Sequence, residues 1–388
     1  GGPAVMLVPL PAPARGPGRR PVFTVLSVAL MSRGIGAVAA IFTVVNATLL
    51  KPLPYQDPTQ LYRLSGAEPA GVKTAAGRDS MTPFALSWFQ LSRWRDESRA
   101  FERIAGYTPA TMKLLGAGEP EPIQGAFVSA GFFETLGARP VLGALFTREH
   151  ERQGNGVAVI SYSLWQRRFA GNPQIVGTAI NVDDEPRAII AVMPEDFRIV
   201  FQRGDIWTPM VLDAAQLNSV GRMVAGIGRM RQGTTLKDAE LDLADVNARI
   251  AAERPAQYGR SGIIVQPLRE FIYGRARTGL LVLLAAVLLL LAVATVNVTS
   301  LTLADAFARR DATMTRLAVG ASPVGIIRLR MTDAALVTAA ALVLGVVLGQ
   351  FGLAALAAVQ PDAFEGFGRI ALDPVVIVGV VAGWGSVG

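Results

Sequence analysis

Residues 280–303 read LLVLLAAVLLLLAVATVNVTSLTL, a stretch without a single charge that is dominated by Leu, Val and Ala. As a helix it can cross a hydrocarbon layer of ~30 Å, for which about 20 residues suffice. Arg309, Arg310, Arg316, Arg328 and Arg330 crowd the segment that follows, opposed within it only by Asp311. Positive charge collects at the cytoplasmic ends of membrane spans, so this hinge is assigned to the inside. A second apolar run opens directly beyond it, and the sidedness of everything else follows from that assignment.

Working outward toward the N-terminus, residues 51–277 change character. Their 27 basic and 24 acidic residues nearly balance, and polar positions alternate with short apolar runs, as in mixed α/β folds. The length suits one large domain or two subdomains. Phe84, Trp88 and Leu91 recur at helical spacing within Pro83–Arg99, while Pro122–Ser129, Val157–Ile160 and Arg222–Met230 read as strands. Asn181–Met193 reads as a hairpin turning at Asp183-Asp184-Glu185. Thr235–Glu253 is the clearest helix. Leu236, Ala239, Leu243, Val246 and Ile250 fall three and four apart in it, Thr235-x-x-Asp238 caps its start and Pro255 stops it.

Residues 21–50 form the first apolar segment, preceded by Arg19 and Arg20 and interrupted by Arg33 and Asn46. They read as a span with its N-terminus inside, after a flexible Pro- and Gly-rich segment, 1–20, that opens without a methionine. A secretory signal peptide competes, with Val22–Met31 as its apolar core and Ala39 and Ala40 near a cleavage point. Against it, the apolar pattern resumes after Arg33 and continues to Leu50. Arg33 itself has two readings. Either the first turns lie at the interface and Arg33 meets headgroups, or it is a buried, functional charge costing at least ~2.5 kcal/mol unless partnered.

Beyond the hinge, 331–359 is a third span and 372–388 a fourth, shorter than the usual length. The loop between them carries Asp362, Glu365, Arg369 and Asp373, lacks the arginine excess of the hinge, and is placed outside. Gly345-x-x-x-Gly349 in the third span is a candidate for close helix packing. The expected fold is an α-helical membrane protein with four transmembrane helices (21–50, 279–304, 331–359 and 372–388). A large α/β (α+β) extracytoplasmic domain, 51–277, is inserted between helices 1 and 2. Trp384-Gly-Ser-Val-Gly ends without a basic flank, so the chain is expected to stop inside an element and to be an incomplete unit.

Composition narrows the function. A hydrophobic content of 51% and a mean hydropathy of +0.38 over 388 residues suit a membrane protein with a soluble insert. The net charge of +7 flanks apolar runs without forming a basic patch interleaved with aromatics, which argues for membrane lipid and against nucleic acid as the partner. The absence of Cys excludes disulfides, thiolate catalysis and Cys-ligated zinc. His150 stands alone in the charged run Arg148–Arg152 and reads as a solvated loop residue. None of Lys51, Lys73, Lys113 and Lys237 completes a phosphate-cradling loop, and Ser161-Tyr-Ser-Leu lacks the glycines of a nucleophile elbow. Glu119 and Glu121, set apart by Pro120, suit an exposed extended segment, and Asp183–Glu185 a solvated turn. No catalytic, cofactor or metal site is expected.

In this arrangement the chain resembles the MacB/FtsX-type permeases of ABC transporters from about Pro21 to its end, and most of all the branch in which the permease unit is duplicated. The likeness rests on Gly34-Ile-Gly-Ala, Ala40-Ile-Phe-Thr-Val-Val-Asn-Ala and Leu50-Lys-Pro-Leu-Pro-Tyr around the first span. In the insert it rests on Gly118-Glu-Pro-Glu, Val128-Ser-Ala-Gly-Phe-Phe, Leu136-Gly-Ala-Arg-Pro, Leu164-Trp-Gln-Arg-Arg-Phe and Val192-Met-Pro. Val296-Asn-Val and Arg316-Leu-Ala-Val-Gly-Ala-Ser carry it in the membrane half.

The resemblance implies a MacB-like periplasmic core domain at 51–277 and an FtsX-like permease domain at 278–388 in the inner membrane. It implies a coupling segment, 306–328, that touches a separate ABC ATPase, and a second permease copy, as a homodimer or a downstream half. Within that segment Arg316, Gly320, Ala321 and Ser322 are the candidate ATPase contacts. Arg316 is an isolated charge among Met314, Leu317 and Val319, suited to a charge-assisted bond or to snorkelling toward headgroups. Two departures stand out: Ala312 replaces the family's acidic residue, with Asp311 beside it, and Ser32-Arg33 replaces small or apolar residues. The function expected is a non-catalytic permease of an export or mechanotransmission complex. The alternative is a signalling or scaffold protein acting on an extracytoplasmic partner.

Overall fold

The computed structural model describes residues 21–46, 52–73, 79–115, 120–153, 156–195, 197, 199, 204–211, 221, 224–308, 314 and 323–359. Two units divide the chain, one containing the apolar helices within Gly1–Asn46 and Leu280–Pro361, the other the body within Ala47–Gly279. Helix α1 (Pro21–Val45) is followed by β1 (Leu61–Lys73), β2 (Asp79–Phe84), α2 (Trp88–Glu97), β3 (Phe101–Leu115), β4 (Glu121–Val128), α3 (Phe132–Thr135) and β5 (Leu142–Gly143). Next come α4 (Arg148–Gln153), β6 (Val157–Ile160), α5 (Tyr162–Phe169), β7 (Ala179–Val182), β8 (Glu185–Val192), β9 (Ile206–Pro209) and β10 (Ala225–Met230). The body closes with α6 (Leu236–Glu253), α7 (Pro255–Tyr258) and β11 (Gly262–Pro267), and the chain runs on into α8 (Leu268–Ala308) and α9 (Pro323–Val359).

The described strands of the body form one mixed sheet in the order β11-β1-β10-β3-β4-β9-β6-β8-β5, with β2 beside β1 and β7 beside both β3 and β8. Strands β4 and β9 are parallel, as are β6 and β8. Side chains from the sheet and its helices fill three apolar clusters. The first joins Leu61, Tyr107, Phe132, Phe133 and Trp207, the second is built on Trp88, Leu91 and Trp94 with α6, and the third on Ile160, Leu164, Ile189 and Ile206. Gly226 lies opposite Gly106 where β10 meets β3. A Cβ on Gly106 would strike the Leu91 side chain, so glycine there is what lets α2 lie so close to the sheet.

Both principal helices of the body are fixed at their starts by reciprocal capping, which satisfies backbone N–H groups that no helical turn can reach. Ser87 and Gln90 close α2, and Thr235 and Asp238 close α6. Ala239, Leu243, Val246 and Ile250 of α6 are buried as their spacing requires, but Leu236 is 38% exposed because it belongs to a first turn, 235–238, that is exposed throughout. Phe84 belongs to β2, not to a helix, because pairing with Gly66 of β1 draws it into the ladder. The hairpin turn is Asp183-Asp184, with Glu185 already in β8. Both aspartates have positive φ, as a two-residue hairpin turn of the primed type demands. Asp183 also accepts from the Lys113 N–H at 2.8 Å, so this acidic cluster clamps a turn.

Asp242 fastens α6 to the body. Its carboxylate accepts from the N–H groups of Arg99 and Ala100 at 3.0 and 3.1 Å and from the Ser98 hydroxyl. Asp242→Ala would leave these donors, which link α2 to β3, without their acceptor. It is expected to lower stability by about 1–3 kcal/mol, read as a shift in the thermal midpoint of the full chain. An unchanged midpoint would mean that water replaces the carboxylate without loss.

Among the described residues three helices are long and apolar enough to cross a membrane, through windows Val28–Val45, Arg277–Asn297 and Leu336–Ala355. The helix containing residues 279–304 begins earlier, at Leu268, and the one containing 331–359 begins at Pro323. Each continues its helical backbone past the apolar run, since ladder hydrogen bonds need no apolar side chains. Residues 1–20 and the expected fourth span, 372–388, lie outside the described residues.

Candidate functional site

In the helical unit, α1 packs against α9 along a seam of small residues. Met31 and Ile35 cluster with Ala341, Gly36 meets Gly345 and Gly349, and Ala39 clusters with Leu353. Numbers rise together along both helices, so the two run parallel. A Cβ added to Gly36 would lie 2.7 Å from the Gly345 carbonyl oxygen and 3.2 Å from the Gly349 nitrogen. One added to Gly345 would lie 2.8 Å from Ile35 Cγ2, and one on Gly349 3.0 Å from the Gly36 carbonyl oxygen. Backbone therefore touches backbone here, and dispersion over many close contacts holds the pair together. Ser32 and Thr43 in the seam donate to carbonyls of their own helix, at Ala29 and Ala39, and so impose no polar demand on α9.

In the body, the chain arriving after α1 and the chain leaving through α8 are rooted in one apolar cluster. Leu53 and Tyr55 on the first connection and Leu268 and Tyr273 on the second are all buried in it, with Tyr107, Phe132 and Ile227. Two arginines secure these roots. Arg229, 5% exposed on β10, donates through Nε to the Thr135 carbonyl at 2.9 Å and through Nη2 to the Gln56 carbonyl at 2.8 Å, with Nη1 3.5 Å from the Asp57 carbonyl. Its partners are backbone dipoles, and burial pulls its guanidinium below the usual arginine range. Gly137, at φ +75°, completes the clamp, because a Cβ there would meet Gln56 Cβ at 2.5 Å.

Arg63 of β1 secures the other root. Its guanidinium lies 4.9 Å from the ring centroid of Phe271 on α8 and hydrogen-bonds the Tyr107 side chain, while its Nε and Nη1 are buried without a partner. Burial lowers the Arg63 pKa and raises those of Tyr107 and Tyr273. Together these groups tie β1 and β3 to the start of α8, and their chemistry is that of attachment. Among the described residues no group of three His, Cys, Asp or Glu side chains is placed to hold a metal ion.

Gly345 and Gly349 therefore lie in the seam with α1. Arg316, Gly320, Ala321 and Ser322 lie outside the described residues, as do Arg309 and Arg310. His150 accepts from the Thr147 N–H through Nδ1 at 3.0 Å at the start of α4. Sequence reasoning gave no part to Gly36, Arg63 or Arg229. Gly36 stood in the quoted Gly34-Ile-Gly-Ala stretch, and its spacing from Ser32 was the available signal. The arginines carried no signal, because their partners are distant in the chain.

A family model for the MacB-like periplasmic core domain matches residues 24–252, and one for the FtsX-like permease C-terminal domain matches residues 284–386. A domain assigned to a permease protein of Porphyromonas gingivalis is similar at 15% identity and TM-score 0.43, covering 55% of this chain and 92% of that one. The periplasmic region of MacB from Actinobacillus actinomycetemcomitans is similar at 14% identity and TM-score 0.41, covering 57% and 94%. The extracellular domain of the noncanonic ABC-type transporter YknZ from Gram-positive bacteria stands at 13% and 0.38, covering 53% and 99%. Among curated proteins none matches.

Proposed function

Because the chain belongs to the MacB/FtsX-type permeases of ABC transporters, we propose that it is the non-catalytic permease subunit of an export or mechanotransmission complex. In it, ATP hydrolysis by a separate ATPase moves the apolar helices and thereby the extracytoplasmic body. The observation that carries this reading is the common root: Leu53, Tyr55, Leu268 and Tyr273 share one core cluster. Displacement of either helix then acts on the body at one place, through groups too well packed to absorb it locally. The parallel course of α1 and α9 supports it further, since two spans of one direction require an opposite crossing between them, which α8 is long enough to make.

In this reading the body faces the outside of the inner membrane, the arginines of residues 309–330 face the cytoplasm, and Arg316, Gly320, Ala321 and Ser322 meet the ATPase. A second permease copy completes the complex, and the Gly345–Gly349 seam holds α9 to α1 as the pair moves. ATP is hydrolysed by the partner, so the purified chain is expected to show no saturable ATP binding in equilibrium dialysis. Saturable binding would refute the assignment. Arg316→Glu is expected to abolish co-purification with the ATPase while leaving membrane insertion intact. Retention of the ATPase equal to that of Arg328→Glu would remove Arg316 from the docking surface.

A further inference from the structure

We propose that residues 372–388 seat as a helix between α1 and α8 of the same chain, with Gly379 and Gly383 against Val38 and Gly34 of α1. The proposal rests on the membrane reading of the apolar helices and adds to it the occupant of two faces that no described helix covers. The first face is on α1. Gly34 and Val38, one turn apart, are buried, and Val38 is only 8% exposed. They lie about 150° round the helix from the middle of Ser32, Gly36, Ala39 and Thr43, at ~100° per residue, so the seam with α9 is on the opposite side. Val38 belongs to neither apolar cluster that α1 makes with α9.

The second face is on α8. Leu280, Leu284, Val287, Leu291 and Thr295 fall three and four apart and are all buried or half-buried, whereas Val282, Leu289 and Val296 on other faces are exposed. Val287 is 8% exposed, and a side chain buried to that degree is touched by several others. No described helix packs along α8.

The segment beyond α9 suits both faces. Of the longer stretches outside the described residues that flank the apolar helices, 1–20 is rich in Pro and Gly, and 309–322 and 360–371 carry charges. Only 372–388 is free of charge after Asp373 and approaches the length of a span. Gly379 and Gly383, one turn apart, give it a face bare of side chains, with Val376 and Val380 beside it. Small residues of this kind let a second helix approach closely within a membrane.

Depth agrees on all three segments. Val38 lies about 10 Å from Val45, Val287 about 10 Å from Leu280 and Gly379 about 10 Å from Leu372, each counted from the outer end of its segment at ~1.5 Å per residue. Gly34 and Gly383 both lie about 16 Å from the same ends at that rise. In the membrane reading α1 runs outward and 372–388 inward, so Gly34 meets Gly383 where Val38 meets Gly379. Connectivity selects the same chain over a second copy. Leu353 near the end of α9 is buried with Ala39 of α1, and only residues 360–371 separate α9 from the segment, which therefore re-enters beside its own α1.

The test uses the full chain in native membranes, where no native cysteine interferes. Val380→Cys is combined in turn with Val38→Cys and with Val287→Cys, and with Leu289→Cys, on a position 67% exposed, as the control. After oxidation with copper phenanthroline, the remaining thiols are read by the mobility shift of a polyethylene-glycol maleimide. Both test pairs are expected to lose their thiols at monomer mobility, at least fivefold beyond the control. Gly379→Leu should lower both yields at least fivefold while leaving the cross-link between Ala39→Cys and Leu353→Cys, across the α1–α9 seam, unchanged. Disulfides at dimer mobility would give the two faces to a second copy and overturn the proposal. Thiols left free in either pair, yields equal to the control, or yields unmoved by Gly379→Leu would overturn it as well. Carbonate extraction of the same variants separates two failures. Chains retained in the membrane without the disulfides refute this seat alone, whereas extracted chains refute the membrane reading and the seat with it.

Discussion

Leucine in place of Gly36 is expected to drive α1 off α9. The new side chain would begin with a Cβ 2.7 Å from the Gly345 carbonyl oxygen and 3.2 Å from the Gly349 nitrogen. Both obstacles are backbone, so no rotamer change relieves the clash and the helices must separate. Overpacking a tight contact costs about 1–3 kcal/mol. Here it also forfeits the dispersion along Ser32, Ile35 and Ala39, and association should fall roughly ten- to a hundredfold. Cross-linking between Ala39→Cys and Leu353→Cys, which replace members of one buried cluster, reads the loss directly. Gly36→Ala should fall between the parent and Gly36→Leu, because it meets the same atoms with less bulk. Equal yields in all three would show that the seam is not what holds these helices.

Arg229→Met is expected to unfold the root of the body more readily although methionine fills much of the same volume. The substitution removes the donor to the carbonyls of Thr135 and Gln56, of which the Thr135 bond is fully buried, while the Asp57 carbonyl keeps the Gln60 N–H at 3.0 Å. Each buried acceptor left unsatisfied costs about 1–3 kcal/mol. A net loss of about 3 kcal/mol would lower the thermal midpoint by roughly 6–12 °C for a body of this size. Arg229→Lys should recover part of this, since an ammonium can reach one or two of the carbonyls but lacks the planar fork. If Arg229→Met melts within about 2 °C of the parent, the clamp contributes nothing and the apolar cluster alone secures the connection. The more informative readout is ATPase stimulation in the assembled complex. Loss of coupling in a variant still folded at the assay temperature would place Arg229 on the transmission route.

The amino-acid sequence by itself determined the apolar runs, the balanced insert between them and the basic hinge, because membrane partition and charge asymmetry depend on local composition. It also determined the start and stop of α6, where Thr235, Asp238 and Pro255 act within a turn of their own positions. Short strands such as Val157–Ile160 were legible for the same reason. Only the tertiary structure decided the parallel pairing of β4 with β9, the loss of Phe84 to β2, and the meeting of Gly36 with Gly345 and Gly349. A Gly-x-x-x-Gly pattern shows that one helix can be approached closely, but the surface that approaches it is chosen by packing. Arg63 and Arg229 looked like ordinary strand residues because what they hold, Phe271 on α8 and the carbonyls after α1, lies far along the chain. Their roles exist only where the sheet brings the two membrane connections into one core.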